Sequence, residues 1–124
     1  MSFTPAYSII GEDDACYTAL VLHGILGAGR NWRSFIRKLA AEHPDWKYVL
    51  VDHRWHGDSG SAPGPHSVSA CAEDLRTLVE TLNVQPDLVM GHSFGGKVAL
   101  AFARDVWAPS LSQVIVLDLS LIHI

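Results

Sequence analysis

The sequence predicts an α/β fold: a mostly parallel sheet with helices on both faces. Three observations predict it. Short apolar runs alternate with longer stretches of helical period, in the order β, α, β, α, β, α, β. The runs at 18–22 and 48–52 are apolar without alternation, as strands buried on both faces are. Finally, the residues richest in chemistry stand at the carboxyl ends of those runs: His23-Gly24, Asp52, Gly91-His92-Ser93 and Asp118. Function gathers at that end of such sheets.

In chain order, residues 7–10 read as a short edge strand, closed by the turn-like and solvated 11–14 (Gly-Glu-Asp-Asp). Residues 18–22 (TALVL) form a buried strand, followed by the glycine-rich loop 23–29. Asn31 is expected to cap a helix running to about Ala41, with Trp32, Phe35, Ile36 and Leu39 as its core face. Residues 48–52 (YVLVD) are a second buried strand. The loop 53–66, rich in His, Gly, Pro and Ser, leads to an amphipathic helix over 68–82, where Val68, Cys71, Leu75, Leu78 and Leu82 recur at helical spacing. Pro86 ends the connection and 87–90 enters a third strand. A helix over 97–104 presents Val98, Leu100, Ala101 and Phe102. Residues 107–110 break it before a last apolar strand over 114–118.

The bulk numbers narrow the function classes. A chain of 124 residues holds one domain, and 48% hydrophobic against 18% charged residues makes it globular. A net charge of −4 without a Lys/Arg run argues against nucleic acid as a partner. Cys16 and Cys71 make no disulfide framework and are expected to be reduced thiols. Residues 1–7 lack the basic and apolar regions of a secretory signal, and no apolar run reaches transmembrane length. The default expectation is a cytoplasmic protein.

Residues 88–96 (LVMGHSFGG) carry the most information. An apolar run ends in Gly91-x-Ser93-x-Gly95 and a helical stretch follows. This is the context of a nucleophile elbow, a tight strand-to-helix turn that presents Ser93 on a strained backbone. The backbone approaches so closely there that positions 91 and 95 must be glycine. A helix N-terminus behind the serine favours developing negative charge. Two competing motifs are incomplete. Gly91-x-x-x-x-Gly96-Lys97 lacks the Ser or Thr of a P-loop, having Val98 instead, and the glycines at 24, 27 and 29 do not fit the dinucleotide spacing. His53-x-x-His56 with His66 has no carboxylate or thiol to complete a metal set and reads as packing or hydrogen-bonding loop residues. Arg54 is expected to tie loops together. No cofactor and no metal are implied.

Three motifs in order resemble the α/β-hydrolase superfamily: His23-Gly24 after a buried strand, Asp52-His53-Arg54-Trp55-His56-Gly57-Asp58-Ser59, and Gly91-His92-Ser93-Phe94-Gly95-Gly96. The stretches 23–32 and 95–100 resemble a lipase/esterase-like branch. The resemblance covers residues 7–118, which correspond to the first half of a family member, so the chain reads as a truncated α/β-hydrolase core. It implies that Ser93 is the nucleophile and that the backbone N–H groups of Ile25 and Phe94 form the oxyanion hole. It makes Asp118 a candidate for the triad acid, against a structural strand-end carboxylate. The family order puts the base after the acid. Here His23, His43, His53, His56, His66 and His92 all precede Ser93, and His123 follows Asp118 too closely.

The tail 119–124 (LSLIHI) resembles the in-frame translation of a transposon-end sequencing adapter, the alternative being a genuine apolar C-terminus. The expectation is an N-terminal part of the core domain over 1–118 with a non-native tail over 119–124, and little triad activity from this polypeptide alone. The parent protein is expected to hydrolyse an ester or thioester of a small or acyl-lipid substrate through a Ser93 acyl-enzyme. The alternatives are an acyltransferase or C–C hydrolase, or a non-catalytic ligand-binding or receptor module on the same fold.

Overall fold

A computed structural model of the chain describes residues 3–24, 27–60, 62, 64, 66–106 and 109–117. Ile25, Asp118 and the tail 119–124 lie outside the described residues, as does the side chain of Asn31. The strands are β1 (Tyr7–Ile10), β2 (Tyr17–Leu22), β3 (Trp46–Val51), β4 (Leu88–His92) and β5 (Gln113–Leu117). The helices are α1 (Arg33–Glu42), α2 (Val68–Leu82) and α3 (Phe94–Asp105), with a 3-10 turn over Gly29–Trp32 before α1.

The sheet order is β1-β3-β2-β4-β5. β1 runs antiparallel to β3, and every other pairing is parallel. The chain steps from β2 outward to β3, then returns to place β4 on the other side of β2. The strand order therefore reverses at β2, where open α/β sheets bind their ligands. The register sets Leu22 beside both Val51 and Gly91. The residues that follow, His23, Asp52 and His92-Ser93, consequently share one edge.

Period-2 alternation divides the buried strand residues between two cores. Leu20, Leu22, Val49, Val51 and Val89 pack under α2 and α3, against Leu75, Leu78, Val98 and Phe102. Ala19, Val21, Tyr48, Leu50, Leu88 and Met90 face α1 through Ile36, with Leu39 and Trp32 at the margin. Helices thus cover both faces, as the sequence predicts. α2 is capped by Ser67, whose hydroxyl accepts the Ala70 N–H at 3.1 Å, and ends at Asn83 in the left-handed region.

Two expectations are corrected, and exposure in α3 and β5 goes beyond what the sequence reading addressed. Asn31 does not cap α1: it lies inside the 3-10 turn, and the cap position is Trp32, without a side-chain hydrogen bond. Phe35 is exposed and packs on Trp32, because a single row through Ile36 suffices to seat this short helix on the sheet. Leu100 is exposed on the outer side of α3. In β5, Ile115 and Leu117 are exposed. Ile115 pairs with Met90 and so lies on the α1 side, but β5 is the outermost strand of the described sheet and α1 packs chiefly over β3 and β1, toward the opposite edge. Several boundaries also move: α3 begins at Phe94 rather than 97, because the elbow feeds directly into the helix.

Candidate active site

Ser93 stands between β4 and α3 with φ 56° and ψ −113°. Left-handed backbone is costly for a residue bearing a Cβ, so surrounding contacts must hold it there. Those contacts are visible. The Ser93 N–H bonds to the Leu117 carbonyl at 3.1 Å. The Ser93 carbonyl accepts the Gly96 N–H at 2.9 Å and starts α3. A Cβ on Gly91 would collide with the Gly95 carbonyl, and one on Gly95 would lie 2.6 Å from the carbonyl oxygens of both Leu22 and His23. On Gly96 it would lie 2.8 Å from Val116 Cγ1. The serine side chain is half-buried. Phe94, as first residue of α3, has a backbone N–H that the helix's own ladder leaves unclaimed. The other amide named from sequence, that of Ile25, and the carboxylate of Asp118 lie outside the described residues.

The loop 52–60 is built around Asp52. One carboxylate oxygen accepts the Gly29 N–H at 2.7 Å and the other the Asp58 N–H at 2.9 Å. A side chain on Gly57, which has φ +53°, would strike that carboxylate. The Ser59 hydroxyl donates to the Asp52 carbonyl at 2.5 Å and accepts the Ala6 N–H at 2.8 Å. The motif is therefore a brace, joining the loops after β2 and β3 to the start of β1. Arg54 reaches back to α2 and pairs with Asp74 through two charge-assisted bonds of 2.7 and 2.8 Å, both side chains 7% exposed. Bonding to Asp74 raises the Arg54 pKa. Arg54 thus ties its loop to helix α2, where a tie between loops was expected.

Three imidazoles pack beside the elbow. The His23 and His53 ring centroids are 4.4 Å apart, and those of His23 and His56 are 5.2 Å apart. The hydrogen bonds fix both buried tautomers. His23 Nε2 accepts the His53 backbone N–H at 2.9 Å, so its proton is on Nδ1, which donates to the Gly24 carbonyl at 2.6 Å. His53 Nε2–H donates to the His23 carbonyl at 3.1 Å. Burial lowers both pKa values, that of His53 to about 3, so both rings are neutral at ordinary pH. His66 packs edge-on against Trp55, and among the described residues no group of three His, Cys, Asp or Glu side chains is placed to hold a metal ion. Cys16 and Cys71 are unpaired, and burial pushes the Cys71 thiol up to about 11, which keeps it protonated.

A cleft of about 440 Å³, mostly apolar, opens between the 53–66 loop and the elbow. It is lined by His53, Trp55, His56, Cys71 and Phe94 among others, so it shares Phe94 with the turn that carries Ser93. Sequence reading missed two features here. One is Trp55, exposed and held at φ 66°. The other is Asp74 as the partner of Arg54; a lone acid within an apolar helix face is the signal that would have found it. Among the described residues no helix is long and apolar enough to cross a membrane.

Comparison with known proteins agrees with this fold. The alpha/beta hydrolase fold profile matches residues 18–121. An abhydrolase domain-containing protein of Schizosaccharomyces pombe is 35% identical over 99 residues, covering 80% of this chain and 36% of that protein. The sn-1-specific diacylglycerol lipase of Mus musculus is 31% identical over 116 residues, covering 93% of this chain and 36% of the lipase. Among solved structures, an esterase from a marine microorganism superposes with a TM-score of 0.77 at 32% identity, covering 93% of this chain and 41% of the esterase. The chain thus spans little more than a third of the length of the curated relatives it matches.

Proposed function

Because this chain belongs to the alpha/beta hydrolase fold family, we propose that it carries the nucleophilic half of a serine hydrolase acting on an ester or thioester. Ser93 Oγ attacks the acyl carbonyl carbon and gives its proton to a general base. The tetrahedral oxyanion is held by backbone N–H groups, that of Phe94 and that of Ile25, and collapses to an acyl-serine with loss of the alcohol or thiol. Water then cleaves the acyl-enzyme. The base belongs to the family's length that this chain does not span, and Asp118 is the candidate to orient it.

One observation carries the reading: a serine at φ 56° in a corner that glycines at 91 and 95 alone permit. Such strain persists only where the fold over-determines it, and that is a mark of function. The apolar cleft that shares Phe94 with the elbow favours an acyl substrate, small or lipid-like, over a charged one.

The test is a fluorophosphonate probe applied to the full-length protein that carries this chain. Wild type becomes labelled at Ser93, and Ser93→Ala does not. A folded wild type that stays unlabelled overturns the proposal and favours a ligand-binding module on the same fold.

A further inference from the structure

His53 takes no part in the chemistry above, yet it touches both sides of the elbow. Its Nε2–H closes on the His23 carbonyl at 3.1 Å. That carbonyl is one of the two oxygens against which Gly95 is packed, since a Cβ on Gly95 would come within 2.6 Å of it. The other contact of the His53 ring is with Phe94, edge-on at 5.5 Å and 90°. The ring is 2% exposed and also packs at a tilt against His23, whose own Nε2 accepts the His53 backbone N–H. The end of β2, the end of β3 and the first turn of α3 therefore meet at one imidazole. An apolar side chain of similar size would fill the same volume without the cost of burying a polar ring. What the imidazole adds is a directed N–H to the carbonyl that walls the elbow.

We propose that His53 is a positioning residue, which holds the His23 carbonyl and the Phe94 ring at a fixed spacing and so aims the Phe94 N–H beside Ser93. The inference rests on the acyl-transfer reading of Ser93. The His23 carbonyl selects the Nε2–H tautomer, and a protonated ring would carry that N–H as well, so the donor is in place throughout the ordinary pH range. Displacements on the order of 1 Å at a reacting centre cost on the order of 100-fold in rate, so a loosened spacing is visible in kcat.

The experiment compares wild type, His53→Leu and His53→Gln in the full-length protein. Leu keeps the volume without the donor. Gln places an amide N–H where Nε2–H stands. Two quantities are read: kcat and KM on a short-chain p-nitrophenyl ester, and the backbone N–H resonance of Phe94 in 15N-labelled protein. His53→Leu lowers kcat by about 10- to 100-fold with KM little changed, and the Phe94 resonance moves. His53→Gln recovers most of the kcat and returns the resonance toward its wild-type position. An unmoved Phe94 resonance in His53→Leu overturns the inference, and so do equal effects in the two variants. If wild type shows no Ser93-dependent turnover, the acyl-transfer reading fails, while the Phe94 resonance still decides whether His53 positions the turn.

Discussion

Mild acid should destabilise this fold through His53, and the size of the effect follows from its burial. The ring titrates near 6.5 when unfolded and at about 3 when folded, mainly because burial disfavours the charged form. Between those values the unfolded chain binds a proton that the native chain refuses, so stability falls as pH falls. Above 6.5 the group contributes nothing, and below about 3 the loss levels off. Within the window each pH unit costs about 1.4 kcal/mol, so at pH 5 the loss from His53 is about 2 kcal/mol. His23, also lowered by burial, acts with the same sign. The assay is urea unfolding at pH 7.5 and pH 5, on wild type and His53→Gln. The variant should lose about 2 kcal/mol less than wild type between the two pH values, because carboxylates and surface histidines contribute equally to both. The same loss in both proteins refutes the reasoning, since it means that His53 either ionises freely in the native state or is hydrated.

Gly95→Ala places a methyl group 2.6 Å from two carbonyl oxygens; it should cost about 2 to 3 kcal/mol in urea unfolding and abolish probe labelling at Ser93. Arg54→Leu leaves Asp74 buried without its guanidinium and should cost about 3 to 5 kcal/mol, whereas Arg54→Leu with Asp74→Leu recovers most of that loss in a double-mutant cycle. Trp55 occupies φ 66° while its side chain is 56% exposed. Trp55→Gly should therefore be more stable than Trp55→Val by about 1 to 2 kcal/mol in thermal melts, because both lose the indole and only glycine is at ease in that backbone region.

The order of elements was legible because local pattern encodes it. Uninterrupted apolar runs at 18–22 and 48–51 mark strands covered on both sides, and β2 and β3 lie at those positions. The spacing of Cys71, Leu75 and Leu78 marks the face that α2 buries. Burial at the margins was less legible. Ile115 and Leu117 are as apolar as the residues of β4, yet they are exposed because β5 is the outermost strand of the described sheet. Phe35 matches the helical period and still faces water. Periodicity records which residues can share a face and says nothing of what stands opposite.

The site divides the same way. Gly91-x-Ser93-x-Gly95 announces its turn because the contact that excludes a larger residue at 91 is local, the Gly95 carbonyl, although the carbonyls that exclude one at 95 come from Leu22 and His23 of the neighbouring strand end. The tertiary structure alone decided that Asp52 braces three loops, that Arg54 finds Asp74 twenty positions away, and that His23 and His53 exchange hydrogen bonds across neighbouring strands. Those partners are distant in sequence and are brought together by parallel register, which places Leu22 beside Val51. Residue chemistry and short-range sterics fix what a turn can be, while long-range pairing chooses which imidazoles lose their water and which of their nitrogens keeps the proton.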